Sequence, residues 1–350
     1  MPLVLGLLSR LYGMIVWIRA GLYSRGILAT RHLRCPVISV GNLTMGGAGK
    51  TPAVIALGKI LQAGGLRVSV LLRGYKGKHR GGPLLVSDGV RITSSAVESG
   101  DEAQLLAKRL PGAVVVVSKD RAKGGAWVEN QLPVDVHLLD DGYQHLGLHR
   151  DLNVLLIDTS NPITEDSLFP LGRLREPLSG VRRSDLVVLT RVRPGAEHNE
   201  LVSVIRSHHP HLRQVTSGLT FSGATIYQEG KAEDVSGLEG TVGVAVAGIA
   251  CPGQFFDCLE NWGVRLLGRR AFPDHHRYRA QDVERIQDDC RRFGAEVVLM
   301  TEKDAENCDV FSFSPLKVMV VRVELKFADE AAVRELLNAA IQFRNNVPSS

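Results

Sequence analysis

Between Val37 and Thr51 the chain reads VISVGNLTMGGAGKT: a short alternating run, a glycine-rich turn, then Gly49-Lys50-Thr51. The following PAVIALGKILQAGG is compatible with a helix. Strand, glycine loop and helix in that order are the context in which a Walker-type string becomes a site. A tight loop at the positive end of a helix turns several backbone N–H groups toward one point, which suits a phosphate chain. The segment Thr44, Met45, Gly46, Gly47, Ala48, Gly49, Lys50 and Thr51 is therefore expected to cradle a phosphate chain. Lys50 reaches the β- and γ-phosphates, and the Thr51 hydroxyl ligates Mg2+. Pro52 falls in the first helical turn, where its missing N–H has no partner to lose.

The string departs from G-x-x-x-x-G-K-[ST], because Thr44 replaces the first glycine. An ordinary glycine turn capping a helix is the plainer alternative. A rival is the deviant loop of membrane-associated partitioning ATPases, K-G-G-x-G-K-T, but its signature lysine would fall at Met45.

The 350 residues are 44% hydrophobic and 23% charged, enough apolar material for two cores and ordinary for a globular chain. The five cysteines, Cys35, Cys251, Cys258, Cys290 and Cys308, have no C-x-x-C spacing. Neither a disulfide framework nor a zinc site is expected, and a reducing compartment fits. Charge is uneven. Residues 1–87 contain no Asp or Glu and carry +12, while the remainder carries −7. Such a leading segment points to phosphates, nucleic acid or an anionic membrane face. No aromatic-interleaved basic motif or zinc finger supports nucleic acid.

Residues 2–23, PLVLGLLSRLYGMIVWIRAGLY, are strongly apolar, but Arg10 and Arg19 interrupt them. The longest apolar run, Leu11 to Ile18, is eight residues, well short of the roughly 20 that a confident spanning segment needs. A buried helix is one reading. The favoured one is a helix in the membrane interface, anchored by Trp17 and by Tyr12 or Tyr23. Arg25, Arg31 and Arg34 follow and meet anionic headgroups. A cleaved signal peptide lacks its charged n-region.

Further strands are read at Leu66–Arg73, Val114–Val117, Val134–Leu139, Leu152–Asp158 and Leu186–Thr190. The basic loop Gly74–Gly82 either is simply solvated or steers anionic substrate. Ser99-Gly100-Asp101-Glu102 precedes a periodic helix, where a carboxylate pair serves capping and the helix dipole. Arg121, after the Val114–Val117 strand, is a possible phosphate contact. Asp140 and Asp141, ending the Val134–Leu139 strand, fit a Walker-B site holding Mg2+. Arg173 and Arg175, between helix breakers in PLGRLREP, suit anion clamping or are plain surface arginines. Around residues 214–229 short β-like segments with Ser and Gly mark a boundary before a second α/β unit. There the loops FPDHHRY (272–278) and TEKD (301–304) look functional; His275, beside Asp274, is an acid–base candidate.

Together GNLTMGGAGKTP, SGDE, LDDGYQHLGLHRD, PLGRLREP, PDHHRY and TEKDA occur in order over nearly the whole chain. This resembles the tetraacyldisaccharide 4'-kinases of lipid A biosynthesis, membrane-associated P-loop kinases of Gram-negative bacteria. Thr44 is ordinary in that family. The resemblance implies an α/β fold: a P-loop NTPase-like parallel-sheet domain, a smaller C-terminal α/β domain and an N-terminal membrane-interface helix. The expected divisions are 1–28 for the helix, 29–213 for the kinase domain, 214–230 for a β linker and 231–350 for the C-terminal domain. It implies ATP and Mg2+ as cofactors, with Asp140 and Asp141 on the metal side. Asp101 becomes the general base for the sugar 4'-hydroxyl, oriented by His275, with Lys50 as the third catalytic group. Arg121, Gln144, His145, Arg173, Arg175 and Glu176 help hold substrate or γ-phosphate. The implied partners are a lipid A disaccharide precursor and the anionic inner-membrane surface at its cytoplasmic face, with no nucleic acid and the chain acting as a monomer.

Overall fold

The computed structural model describes residues 2–161, 163–192 and 198–345. They form two compact units: residues 1–99, 106–218 and 325–350 in the first, and 100–105 with 219–324 in the second.

The first unit opens with α1 (Pro2–Ser24), then β1 (Val37–Asn42), α2 (Lys50–Ala63), β2 (Val68–Leu72), β3 (Leu84–Asp88) and α3 (Ala96–Ser99). Helix α4 (Asp101–Arg109) starts among the second unit's residues and ends among the first's. There follow β4 (Val114–Val117), α5 (Arg121–Gln131), β5 (Val136–Asp140), β6 (Leu152–Asp158), β7 (Leu186–Thr190), α6 (Asn199–His208) and β8 (Arg213–Gln228), whose latter half enters the second unit. The strand order is β8-β7-β6-β1-β5-β2-β4-β3. All neighbours are parallel except β3 against β4. Helices cover both faces of such a sheet, so its strands read as unbroken apolar runs rather than alternating ones. Every residue of β1, β2, β4, β5, β6 and β7 is buried. Each large aliphatic side chain so placed contributes about 1.5–3 kcal/mol of burial free energy.

Helix α2 packs its buried face, Ala53, Val54, Leu57 and Leu61, on this sheet. Its loop and the acidic turn after β5 both emerge at the carboxyl ends of adjacent strands, because Val40 of β1 pairs with Asp140 of β5. Gly41 permits the turn to close over β1. A Cβ there would lie 2.7 Å from Tyr143 Cβ and 2.9 Å from its backbone nitrogen. Gly41→Ala is expected to destabilise by about 1–3 kcal/mol; an unchanged thermal midpoint would show that the approach is not tight.

At the amino ends of the strands a buried polar tie joins β2, β5 and α5. Ser69 Oγ lies 2.5 Å from His137 Nδ1, and His137 Nε2 is 3.3 Å from Glu129. Cys35, Glu129 and His137 bring three ligand-type atoms within 4.8 Å, the one such group among the described residues. The thiol instead donates to the Val134 carbonyl, and Glu129 accepts from the Cys35 amide at 2.7 Å and from Arg34. Burial, with Glu129 beside it, pushes the Cys35 thiol up to about 11, so it stays protonated.

The second unit continues with β9 (Lys231–Val235), β10 (Val242–Ala247), α7 (Pro252–Asn261), β11 (Arg265–Ala271), α8 (Ala280–Phe293), β12 (Val297–Thr301), α9 (Glu302–Ala305) and β13 (Lys317–Phe327). Its parallel strands run β11-β10-β12-β13, with β8 beside β13. β8 and β9 form a hairpin through Glu229-Gly230, both at positive φ (49° and 76°), the type I′ geometry that matches strand twist. β8 is thus one 16-residue strand rather than the short segments expected from its Ser and Gly content. Helix α10 (Glu330–Asn345) returns to the first unit, burying Val333, Leu337 and Ile341.

Candidate active site

Helix α2 begins at Gly49, which holds φ +83° and provides no side-chain cap. Its first N–H groups are left for an external acceptor, and the helix dipole favours an anion there. Gly46 holds φ +103° with open space where a Cβ would stand. Lys50 Nζ points back over this loop, 3.4 Å from Asn42 Oδ1, 3.5 Å from the Gly46 carbonyl and 3.6 Å from Asp141.

The acidic turn faces the loop. Asp140 is buried at the end of β5. Asp141 takes φ +51°, a conformation uncommon for a non-glycine residue and found at functional turns. Arg175 Nη1 donates to both Asp141 oxygens, at 2.8 and 2.9 Å. Burial works to raise the Asp141 pKa, but Lys50 and Arg175 hold it below the ordinary carboxylate value. Thr51, Asp140 and Asp141 offer the hard oxygen donors that Mg2+ takes. A glycine cradle, an uncapped helix start, a lysine and this donor set fit MgATP.

Arg121, the first residue of α5, is 5% exposed, and its Nε is buried without a hydrogen-bond partner. Burial and the Arg73 charge lower its pKa, while Asp141 and Asp140 are near enough to raise it. A buried guanidinium so incompletely bonded is a place for an anion. His145 lies near it. Burial, then the Arg121 charge, brings the imidazole down to about 4, so it is neutral at pH 7.

Gln144, Arg173 and Glu176 have other commitments. Gln144 Nε2 donates to the Asn42 carbonyl and to Glu176 Oε1, both at 2.8 Å. The second Glu176 oxygen accepts from Arg183 at 2.6 Å, so this buried carboxylate braces the arch over β1. Arg173 Nε donates to Asp166 at 2.6 Å.

Sequence reading missed the groups that support the loop from β7. Thr190 Oγ1 donates to the Ala48 carbonyl at 3.2 Å. Arg191 pairs with Asp158 and donates to the Gly47 carbonyl at 2.5 Å. Nothing in LVVLTR distinguishes this arginine from any other at a strand end; only the fold brings it to the glycine loop.

The second unit holds its own cluster, built around Asp101. His275 Nδ1 lies 2.8 and 3.0 Å from the two Asp101 oxygens. Asn307 Nδ2 donates to Oδ2 at 2.8 Å, and the Glu102 amide to Oδ1 at 2.9 Å. Lys303 Nζ stands 3.3 Å from His275 Nε2 and ion-pairs with Glu102 and Asp274. An ammonium donating to Nε2 leaves the ring proton on Nδ1, directed at Asp101. Burial raises the Asp101 pKa, but His275, Lys303 and Asn307 outweigh it, and the carboxyl stays below its ordinary value. His275 takes φ +59°, and its amide donates to the Gly248 carbonyl. Asp304 locks the same loops, accepting from Gly248 N, Tyr278 Oη and Thr301 Oγ1 at 2.7, 2.9 and 2.6 Å. Lys303 lies in the loop 301–304 that the sequence singled out, whereas Asn307 lies outside every segment it marked.

The family model described as tetraacyldisaccharide-1-P 4'-kinase matches residues 1–342. A tetraacyldisaccharide 4'-kinase of Geobacter sulfurreducens is 40% identical over 338 residues, covering 97% of this chain and 93% of the relative. One from Geobacter metallireducens is 42% identical over 302 residues, covering 86% and 87%. A crystal structure of LpxK from Aquifex aeolicus in complex with ATP is 34% identical, with a TM-score of 0.75, over 95% of this chain and 97% of that one.

Proposed function

The chain belongs to the tetraacyldisaccharide-1-P 4'-kinase family, and on that premise we propose that it phosphorylates the 4'-hydroxyl of a tetraacyldisaccharide 1-phosphate, the lipid A precursor, to give lipid IVA. ATP sits on residues 44–51, with its phosphates against the α2 amides, Lys50 and Arg121. Thr51, Asp140 and Asp141 hold Mg2+, which supplies charge neutralisation at the phosphates when bound. Asp101 takes the proton of the 4'-hydroxyl as its oxygen bonds to the γ-phosphorus. The bond from that phosphorus to the bridging oxygen breaks, and ADP carries the electron pair away. His275 orients Asp101 and steadies its charge, itself held by Lys303. Phosphoryl transfer asks a protein mainly for such positioning and electrostatics.

The observation that carries this reading is the Lys303–His275–Asp101 line of hydrogen bonds in a chain that also has a glycine loop with Lys50 over it. A nucleotide switch that only hydrolyses ATP has no use for an oriented second-site carboxylate.

The lipid partner is supported by α1. At 23 residues it is ~35 Å long, long and apolar enough to cross a membrane. Yet three of its residues touch the rest of their unit: Ser9 bonds Leu168, Tyr12 bonds Arg175, and Tyr23 Oη lies against Gly147. A helix docked so far along its length lies in the interface, with Leu3, Leu7 and Trp17 toward lipid. Of the two tyrosines offered as alternatives beside Trp17, Tyr12 is turned inward onto the Arg175 carbonyl, and Trp17 is 67% exposed. The working place is the cytoplasmic face of the inner membrane, where the acid-free leading segment meets anionic lipid.

The test is transfer of label from ATP to a lipid A disaccharide 1-phosphate precursor in detergent micelles, with and without Mg2+. Label is expected on the lipid only with Mg2+, and Lys50→Ala should reduce it by about 10²–10³-fold. ATP hydrolysis with no labelled lipid would overturn the kinase reading in favour of a switch ATPase.

A further inference from the structure

We propose that Tyr12 and Ser9 of α1 are positioning residues for the nucleotide loop, so that seating of α1 at a lipid surface and binding of MgATP strengthen one another. This rests on the reading above and adds a regulation to the same site.

The connection runs through one short segment of the first unit. Ser9 Oγ donates to the Leu168 carbonyl at 2.8 Å, and Tyr12 Oη to the Arg175 carbonyl at 2.8 Å. The Tyr12 ring meets Phe169 edge-on at 5.8 Å. Gly13 allows the close approach, since a Cβ there would lie 2.6 Å from Leu168 Cδ1. Ser9, Tyr12, Gly13 and Val16 recur at helical spacing, so one face of α1 is committed to this contact.

The far side of the segment is bonded to the first half of the glycine loop. The Met45 amide donates to the Arg173 carbonyl and the Arg175 amide to the Leu43 carbonyl, both at 2.7 Å. Thr44 and Leu174 form an antiparallel bridge between those bonds. Leu43–Met45 and Arg173–Arg175 thus make a two-stranded patch, with α1 on one edge and the phosphate cradle continuing from the other. From the same residue whose carbonyl holds Tyr12, the Arg175 side chain grips Asp141, next to Lys50. Two hydroxyl bonds therefore separate the lipid-facing helix from the loop backbone.

Away from this contact α1 is left uncovered by the described residues: Leu3 is 90%, Leu7 70% and Trp17 67% exposed. Phe169 and Leu171, at 40% and 47%, extend that apolar surface onto the connecting segment itself. A lipid surface is the occupant that fits an apolar face followed by an acid-free basic stretch. Lipid fixes α1 and so orders residues 43–45 before the nucleotide arrives; the nucleotide then loses less freedom on binding. Linkage requires the effect to be equal in both directions.

The experiment measures the Kd of the full chain for MgATP, free in buffer and on phosphatidylethanolamine–phosphatidylglycerol vesicles, and the vesicle partition with and without MgATP. Vesicles should tighten MgATP about fivefold or more, and MgATP should tighten partition by the same factor. Tyr12→Phe, which keeps the ring, and Ser9→Ala should each reduce the factor, and together bring it below twofold while both separate bindings persist. In the lipid assay Tyr12→Phe should raise the KM for ATP and leave kcat within twofold. Equal MgATP affinity with and without vesicles would overturn the proposal, as would full coupling in the double variant. Absence of MgATP binding in every state would instead overturn the kinase reading beneath it.

Discussion

Asp101→Asn is expected to lower kcat for lipid phosphorylation by about 10²–10⁴-fold, the contribution of a positioned general base. Affinity for MgATP should hold, because Asp101 is bonded to His275, Asn307 and the Glu102 amide, none of them in the glycine loop. The amide keeps the shape but has no lone pair basic enough to accept the hydroxyl proton. The hydrogen-bond donors around Asp101 make the effect testable by pH as well. They hold its pKa below the ordinary value of 3.8 against the opposing effect of burial. The folded-state pKa is depressed, so its stabilising contribution is present above the unfolded value and is lost as pH falls through the folded one. Activity dependent on the ionised base should accordingly persist to the acid side of the usual carboxylate range. Removing the His275 donor with His275→Ala should move the acid limb of kcat/KM upward by about one unit or more. An unmoved limb would mean that Asp101 is not the group titrating.

Arg191→Ala is expected to destabilise the first unit and to loosen its glycine loop. Arg191 and Asp158 form a pair with side chains only 15% and 10% exposed. Truncating Arg191 leaves a mostly buried carboxylate that Ser160 and Asn161 still bond, at a cost of about 1–3 kcal/mol. Arg191 also holds φ +62°, which alanine tolerates poorly, so Arg191→Gly should recover about 1 kcal/mol. Loss of the bond to the Gly47 carbonyl frees the middle of the glycine loop and should weaken MgATP about tenfold. Urea unfolding and nucleotide titration check the two effects. If Asp158→Asn in the Arg191→Gly background restores stability but not affinity, the loop contact is separable from the ion pair. A denaturation midpoint equal to that of the parent chain would refute the assignment.

What could be read from the residues was what lies close together in the chain. β4 and β7 announce themselves as the continuous apolar runs of strands buried on both faces, and β1 by its alternation ahead of the glycine loop. The loop from Thr44 to Thr51 carries its chemistry in eight consecutive residues. Helix α5 escaped notice because RAKGGAWVENQ has two glycines and little apolar periodicity; its glycines are there so that Leu33 and Ser118 can pack close. β8 reads as fragments because Ser217, Gly218, Ser222 and Gly223 dilute the pattern of a strand whose burial is set by two different neighbours. The site partners that escaped are those whose meaning is entirely tertiary. Asn307 is 206 residues from Asp101, and Arg191 is 144 from Gly47. Tyr12 looked like an interfacial anchor because its inward direction depends on a segment more than 150 residues away.

Residues 219–324 interrupt the first unit between β8 and α10. The first unit's last helix fills a groove with Val333, Leu337 and Ile341, and Arg344 donates to the Leu33 carbonyl at 2.9 Å. During synthesis, then, α1 and the glycine loop leave the ribosome long before α10 does. The glycine loop lacks its closing helix until the whole inserted unit has been translated. The first unit thus completes its fold late, after the residues of the intervening unit have been made.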